Sequence, residues 1–321
     1  MSFNIGKPIY LCKHKSLYTN RFRCTGIRTD TATREQVMTP RRFPRSARWS
    51  TLCALVIALL IVGVIPVHAG PPGGRISVNG RKGFDKCWAL GTGQMDDVAN
   101  QGPYWVVGVY IGGINVGSCN NNVTYNWVSH NGGVGWGFLP IYVGRFAPCY
   151  NSQNHYKMSS DINTAKTQAY NAAKDAESAV NALGFTQGTE IYLDMEAYDT
   201  SNTSCRNAVN AYVNEWARTL KADGYRAGAY GSSCGSAVND WAYNATPPDD
   251  VWIAQWNGNT DVYAVSCVNS GFWVYDQRHH QYTLNTPFPV SGEPNAVVNE
   301  DCSQGHVAGN GYDDGVPNDC P

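Results

Sequence analysis

Two carboxylates two residues apart, Asp194 and Glu196, stand at the end of a short apolar run, Ile191-Tyr192-Leu193, after the turn Thr186-Gln187-Gly188. The run reads as a buried strand, and on a strand residues i and i+2 point to one face. Desolvating a carboxylate costs far more than packing returns, so a buried strand does not carry two acids on one face without a use for them. Acids gathered in a sheltered pocket cannot all ionise freely, and at least one is held protonated. A protonated carboxyl near neutral pH is what a leaving-group oxygen needs for general acid catalysis. The plain alternative is a loop that begins at Asp194, with both acids in water.

The elements around this pair alternate. Strands are expected over 81–88, 104–111, 136–143, 191–194, 225–230, 250–256, 272–277 and 295–299. Helical patterns fall between the first six: 95–101, 121–130, the Ala-rich 161–183, a segment capped at Ser204 or Asn207 and ending near Ala222, and the short 235–243. Eight strands with intervening helices call for a parallel sheet, and eight closes a barrel. The last two connections are too short or too Pro-rich for good helices. A doubly wound open sheet is the alternative, but no Gly-rich nucleotide loop follows the first strand. The fold expected is α/β, a single-domain (β/α)8 TIM-like barrel stapled by disulfides.

Such barrels keep their chemistry at the C-terminal strand ends. Asp85 ends the first strand and joins Asp194 and Glu196 as a candidate catalytic acid. Tyr110, Tyr142, Tyr230, Gln255, Trp256, Tyr275, Gln277 and Asp301, near other strand ends, form the candidate substrate-binding set. Trp252, Trp256, Trp273, Tyr275 and Tyr282 crowd the last strands; about half should be packing, and the rest could stack on sugar rings. A rival nucleophile is Ser233 in Gly231-Ser232-Ser233-Cys234-Gly235, a G-x-S-x-G pattern between strand and helix, with Asp276, Asp301, His279, His280 and His306 downstream. That reading leaves Asp194 and Glu196 without a role, and His279-His280 read more simply as surface loop. The tail 311–320 faintly resembles a calcium loop but lacks its spacing and terminal Glu. No metal or other cofactor is expected.

The N-terminal fifth of the chain has a different character. A basic run, Arg41 to Arg48, precedes apolar Thr51–Val67 and the small-residue end Val67-His68-Ala69, the pattern of a secretory signal peptide. A membrane anchor is the alternative, and the apolar run is near its lower length limit. Met38 just before Arg41-Arg42 suits a true start there, with residues 1–37 an over-long extension; the Arg pair weakly allows twin-arginine export. The divisions are then 1–69 signal peptide with extension, 70–80 linker, 81–302 barrel and 303–321 tail. Cleavage after Ala69 leaves 252 residues with thirteen Lys+Arg against 23 Asp+Glu, net −10 with His neutral. That surface repels phosphate backbones and excludes nucleic acid as a partner. A monomer with no membrane contact after cleavage is expected. Eight cysteines remain, widely spaced and without C-x-x-C, which reads as four disulfides in an oxidising compartment; Cys302–Cys320 is the one pairing singled out, since it would pin a Gly-rich tail.

With these motifs placed, the chain resembles the family 25 glycoside hydrolases, lysozymes with a (β/α)-barrel fold, and more closely the secreted actinobacterial glycoside hydrolase-like family related to them. The resemblance spans about Gly83 to Cys302 and rests on Gly83-Phe84-Asp85, Tyr192-Leu193-Asp194-Met195-Glu196, Gly224–Ser232 and Trp252-Ile253-Ala254-Gln255-Trp256. It implies that Glu196 is the general acid, with Asp194 and Asp85 assisting by charge and by orienting an acetamido group. The lysozyme pattern has a further Asp on the eighth strand; here Asn299 would be a neutral replacement and Asp301 a shifted acid. The function implied is a secreted hydrolase cleaving glycosidic bonds in cell-wall or extracellular polysaccharide, peptidoglycan included. The alternatives are a non-catalytic glycan-binding barrel and a secreted serine esterase using Ser233.

Overall fold

The computed structural model of the protein describes residues 75–288, 290–293, 296–309 and Cys320. The segment 1–69, read above as a signal peptide with extension, and residues 311–319 of the acidic tail lie outside them. The strands are β1 Arg75–Asp85, β2 Tyr104–Gly112, β3 Gly137–Tyr142, β4 Glu190–Met195, β5 Arg226–Ser232, β6 Asp250–Ala254, β7 Arg278–Gln281, the short β8 Thr286–Pro287 and β9 Val297–Ala308. The helices are α1 Thr92–Gln101, α2 Tyr125–Val134, α3 Ile162–Ala182, α4 Thr203–Ala222 and the single turn α5 Val238–Trp241. β1 to β7 pair in chain order, all parallel, and β9 closes the barrel between β7 and β1.

β9 runs antiparallel to both neighbours, a correction to the all-parallel expectation. A parallel return needs a crossover of a dozen or more residues, usually a helix. The chain after β7 instead turns back at the same end through β8, which pairs with Val297 and Val298. The reversal has a functional result: the N-terminal end of β9, not its C-terminal end, lies at the mouth. Asn299 is opposite Asp85, and Asp301 is opposite Gln281 and Gly83.

Three other boundaries differ from the sequence reading. The linker expected over 70–80 is strand from Arg75 onward, because β1 extends along β9 as far as Ala308. The seventh strand is Arg278–Gln281, not 272–277. α4 is capped by Asn202, whose side chain accepts from Cys205 N, rather than by Ser204 or Asn207.

Side chains alternate between two cores. Val106, Leu139, Ile141, Tyr192, Trp252 and Val307 fill the barrel. Phe84, Val107, Phe138, Ile191, Leu193, Ala227, Val251 and Ile253 face outward and join the layer under the helices. On α3, buried Ala165, Ala169, Ala173 and Ala176 form a small-residue stripe, and α4 presents Val209, Tyr212, Val213 and Trp216 to the same layer.

All eight cysteines of the barrel are paired. Cys87–Cys119 joins the loops after β1 and β2, Cys149–Cys205 the loop after β3 to the start of α4, and Cys234–Cys267 the loops after β5 and β6. Cys302–Cys320 is the fourth, as expected, and Cys320 N also donates to Gly80 O. Three of the four thus staple neighbouring loops around the barrel mouth.

Candidate active site

Asp85, Asp194, Glu196 and Asp301 converge at that mouth from β1, β4 and β9. Asp85, Asp194 and Asp301 are 1%, 7% and 1% exposed; Glu196, one residue beyond β4, is half-buried. The inward parity of β4 places Asp194 and Glu196 above Tyr192, which packs edge-on to Trp252. Gly108 of β2 makes room: a Cβ there would lie 2.7 Å from the Trp252 ring and 2.8 Å from Asp85 Cβ.

Asp85 is the best-solvated acid by protein groups. Its Oδ2 accepts from Gln281 Nε2 at 2.5 Å and its Oδ1 from Asn299 Nδ2 at 3.0 Å. Tyr110 adds a third donor. Burial still outweighs these bonds and lifts its pKa to about 6, with Glu196 adding to the rise. Asp194 has no such support: Oδ1 has no hydrogen-bond partner among the described residues. Burial first, then the charges of Glu196 and Asp85, hold it well above the usual carboxylate range. Asp301 accepts from Trp252 Nε1 at 2.9 Å, while its Oδ2 is unpartnered among the described residues. Burial, then Asp85, raises it strongly as well. Glu196 is raised by burial, and His155 pulls it the other way. The arrangement is therefore one acid prepared to ionise, Asp85, among neighbours that favour the proton, with Glu196 the member open to solvent.

Gln281 organises the rim. Its Oε1 accepts from Trp256 Nε1 at 2.9 Å and from Tyr230 OH at 3.2 Å, while its Nε2 serves Asp85. Trp256 is 57% exposed, with its N–H committed to Gln281 and its ring open at the mouth. Tyr110 and Tyr230 line the pocket, and burial followed by the nearby acids raises both hydroxyls well above the usual tyrosine value. Across the mouth, the loop after β3 brings Phe146, Tyr150 and His155 into one aromatic cluster.

Of the residues singled out from sequence, the structure brings together Asp85, Asp194, Glu196, Asp301, Tyr110, Tyr230 and Trp256. It does not bring four others. Tyr142 points outward from β3, packs on Trp216 and donates to Asp175 Oδ2 at 2.7 Å. Gln255 braces its own loop through Ser266. Gln277 lies at the opposite end of the barrel, bonded to Asp249 O. Tyr275 is exposed in the segment leading into β7. Among the other aromatics, Trp252, Trp273 and Tyr282 are packing residues.

Gln281 and His155 were missed as site residues; Asn299 was named only as a neutral replacement for a lysozyme Asp, and Trp252, a packing residue whose Nε1 donates to Asp301, only among the crowded aromatics. The signal for Gln281 was its i+2 relation to His279 on a polar strand, hidden because the more apolar Phe272–Gln277 looked like the strand. The Ser233 reading is not supported. Its Oγ is directed at Cys234 Sγ, 3.9 Å away, and the histidines are engaged elsewhere. His279 bonds Tyr192 OH and Ser303 Oγ, His280 two loop carbonyls, and His306 Asp250. His279 and His280 are fully buried, not surface loop as expected, because β7 threads them into the barrel and under the β6–β7 loop.

A closed barrel with an acid cluster at the mouth defines the chain as a glycoside hydrolase-like domain. Residues 97–298 match the Rv2525c-like, glycoside hydrolase-like domain, and the chain belongs to that family. No curated protein matches the chain. Among solved structures, an uncharacterized B. stearothermophilus protein is similar at 16% identity and TM-score 0.47, over 70% of this chain and 96% of that one. The Mycobacterium tuberculosis Tat-secreted protein Rv2525c, in complex with HEPES, is similar at 15% identity and TM-score 0.44, over 68% and 93%. The modular autolysin LytC from Streptococcus pneumoniae is similar at 14% identity and TM-score 0.44, over 69% of this chain and 46% of that one.

Proposed function

We propose that the protein is a secreted glycosidase acting on cell-wall or extracellular polysaccharide, with Glu196 as general acid. The observation that carries this reading is the set of four carboxyls in one pocket, of which only Asp85 has strong donors to its ionised form. Glu196 is the member with solvent access and a raised pKa, so it can meet a leaving-group oxygen while still holding its proton. Ionised Asp85 supplies negative charge where a glycosyl cation develops. Asp194 and Asp301, protonated, can donate to a substrate acetamido or hydroxyl oxygen. Trp256 offers an exposed indole face to a pyranose. Export is part of the same reading: four disulfides suit an oxidising compartment, and an apolar segment with a basic flank precedes the barrel.

Incubating the secreted protein with peptidoglycan and a panel of polysaccharides tests this reading, with new reducing ends as the readout. Release from at least one N-acetylated glycan is expected. Binding to such a glycan with no release, under conditions where Trp256→Ala abolishes the binding, would establish the non-catalytic alternative instead.

A further inference from the structure

Trp88 follows Asp85 by three residues, on the loop that leaves β1 at the barrel mouth. Three residues span at most about 11 Å, so this indole is anchored beside the acid pocket. It is 57% exposed, the same fraction as Trp256. A single exposed aromatic side chain needs no explanation by itself. What sets Trp88 apart is how firmly it is held. Cys87, just before it, is bonded to Cys119. Its own Nε1 donates to Ser118 Oγ at 3.2 Å. Behind it, Ala89 O accepts from Asn122 Nδ2 at 3.0 Å, and Leu90 O accepts from Trp127 Nε1 at 2.7 Å, with Leu90 itself buried in the core. The indole is therefore fixed through its backbone and its N–H edge while its ring stays in water. Trp256 is held by the same device, its N–H on Gln281 Oε1 and its ring exposed.

The two indoles flank Asp85. Trp256 reaches it through the Gln281 amide, from the β6 and β7 side. Trp88 is tied by Ser118 and Cys119 to the loop after β2, on the other side of β1. Fixing an aromatic ring in advance removes the ordering cost that binding otherwise carries. The neighbours of Trp88 narrow the occupant. Lys86, two residues before it, has its ammonium on the same loop, 3.4 Å from Val297 O, which disfavours a cation over the ring. The pocket acids would repel the phosphates of a nucleotide. A neutral ring with an apolar face fits both conditions, and a pyranose is such a ring.

We infer that Trp88 is a second glycan-binding residue, stacking on a sugar of the polysaccharide that lies outside the acid pocket. The inference rests on the glycosidase reading and adds a residue to it: a strand crossing Asp85 meets Trp256 on one side and Trp88 on the other. Stacking at that distance from the acids is made equally in ground and transition states, so its loss falls on KM rather than kcat.

NMR of the isotope-labelled secreted protein tests this through the indole N–H signal of Trp88, assigned by its disappearance in Trp88→Phe. The probe is peptide-free N-acetylated glycan strands sorted by length, added to Glu196→Gln so that nothing is turned over. Long strands shift the Trp88 signal, and a disaccharide does not. Trp88→Ala weakens long-strand binding about threefold to tenfold, and Trp88→Phe recovers part of the loss. On wild-type background, Trp88→Ala raises KM for long strands more than for short ones. A Trp88 signal that stays still while long strands bind, or equal long-strand affinity in Trp88→Ala, overturns the inference. Binding of no strand overturns it together with the glycosidase reading. Turnover by wild type with an unmoved Trp88 signal sinks the inference alone. A shifted Trp88 signal in a protein that cleaves nothing leaves the Trp88 site standing without the glycosidase.

Discussion

Gln281 Nε2 and Asp85 Oδ2 meet at 2.5 Å across β9, which lies between β7 and β1, although 196 positions separate them in the chain. The same amide receives Trp256 and Tyr230 on its oxygen, so its orientation is set from both ends. Donation to the ionised carboxylate works against burial and keeps Asp85 near 6.

Replacing Gln281 with Met keeps the volume and removes the donor. Asp85 should then ionise at higher pH, moving the acidic limb of the pH–rate profile upward. Hydrogen bonds to charged groups contribute about 1.5–3 kcal/mol, so turnover near pH 6 should fall roughly tenfold or more. An unmoved acidic limb would show that Asp85 is not the group titrating there.

Asp194 gives a stability signature. Its folded pKa lies above its unfolded value, so the folded state keeps a proton that the unfolded chain releases. Stability from this group is intact below the ordinary aspartate range and declines as pH rises toward the folded value. Asp194→Asn should therefore raise the thermal midpoint at pH 7 and change it little at pH 4, while lowering activity. Melting curves at the two pH values decide, and an equal shift at both would refute the linkage.

Asp250, at the far end of the barrel, has the opposite sign. His306 N and Nδ1 approach its Oδ2 at 2.8 and 3.1 Å, with His279 Nε2 at 3.7 Å. Although burial pushes upward, these partners bring its pKa down to about 2. Its contribution is present above the usual aspartate value and is lost as pH falls through about 2. Asp250→Ala breaks a buried pair and should cost about 3–5 kcal/mol in denaturant unfolding. A loss under 1 kcal/mol would mean the pair adds little.

Cys149–Cys205 closes the longest span, 56 residues, and holds the loop that carries His155. The double Ser variant should lose roughly 4 kcal/mol, read by denaturant midpoint. Its glycan affinity should fall with it if the staple preorganises the mouth.

Much of this was legible in the chain because the signals were local. The D-x-E pair on an apolar run placed Asp194 and Glu196 on one face, and alternating elements led to the closed barrel. The pocket residues of β9 were legible only as alternatives. Asn299 and Asp301 turn out both to face the pocket, one bonding Asp85 and the other Trp252, because the antiparallel return puts the start of that strand at the mouth. What failed was non-local. Arg278-His279-His280-Gln281 looks unlike a strand, since its outward side chains are satisfied by loop carbonyls such as Asn269 O and Phe272 O, which accept from Arg278. Tyr142 failed by parity: one residue's difference along β3 turns a side chain from barrel to helix layer.

The central claim is that Glu196 donates the proton. The direct measurement is the pH–rate profile of wild type and Glu196→Gln on a cleaved glycan, with binding followed in parallel. The account expects a bell-shaped wild-type profile that needs Asp85 ionised and Glu196 protonated. Glu196→Gln should lose about 10²–10⁴-fold in turnover, lose the basic limb and keep its glycan affinity. Wild-type turnover in Glu196→Gln, with the basic limb unchanged, would contradict the account.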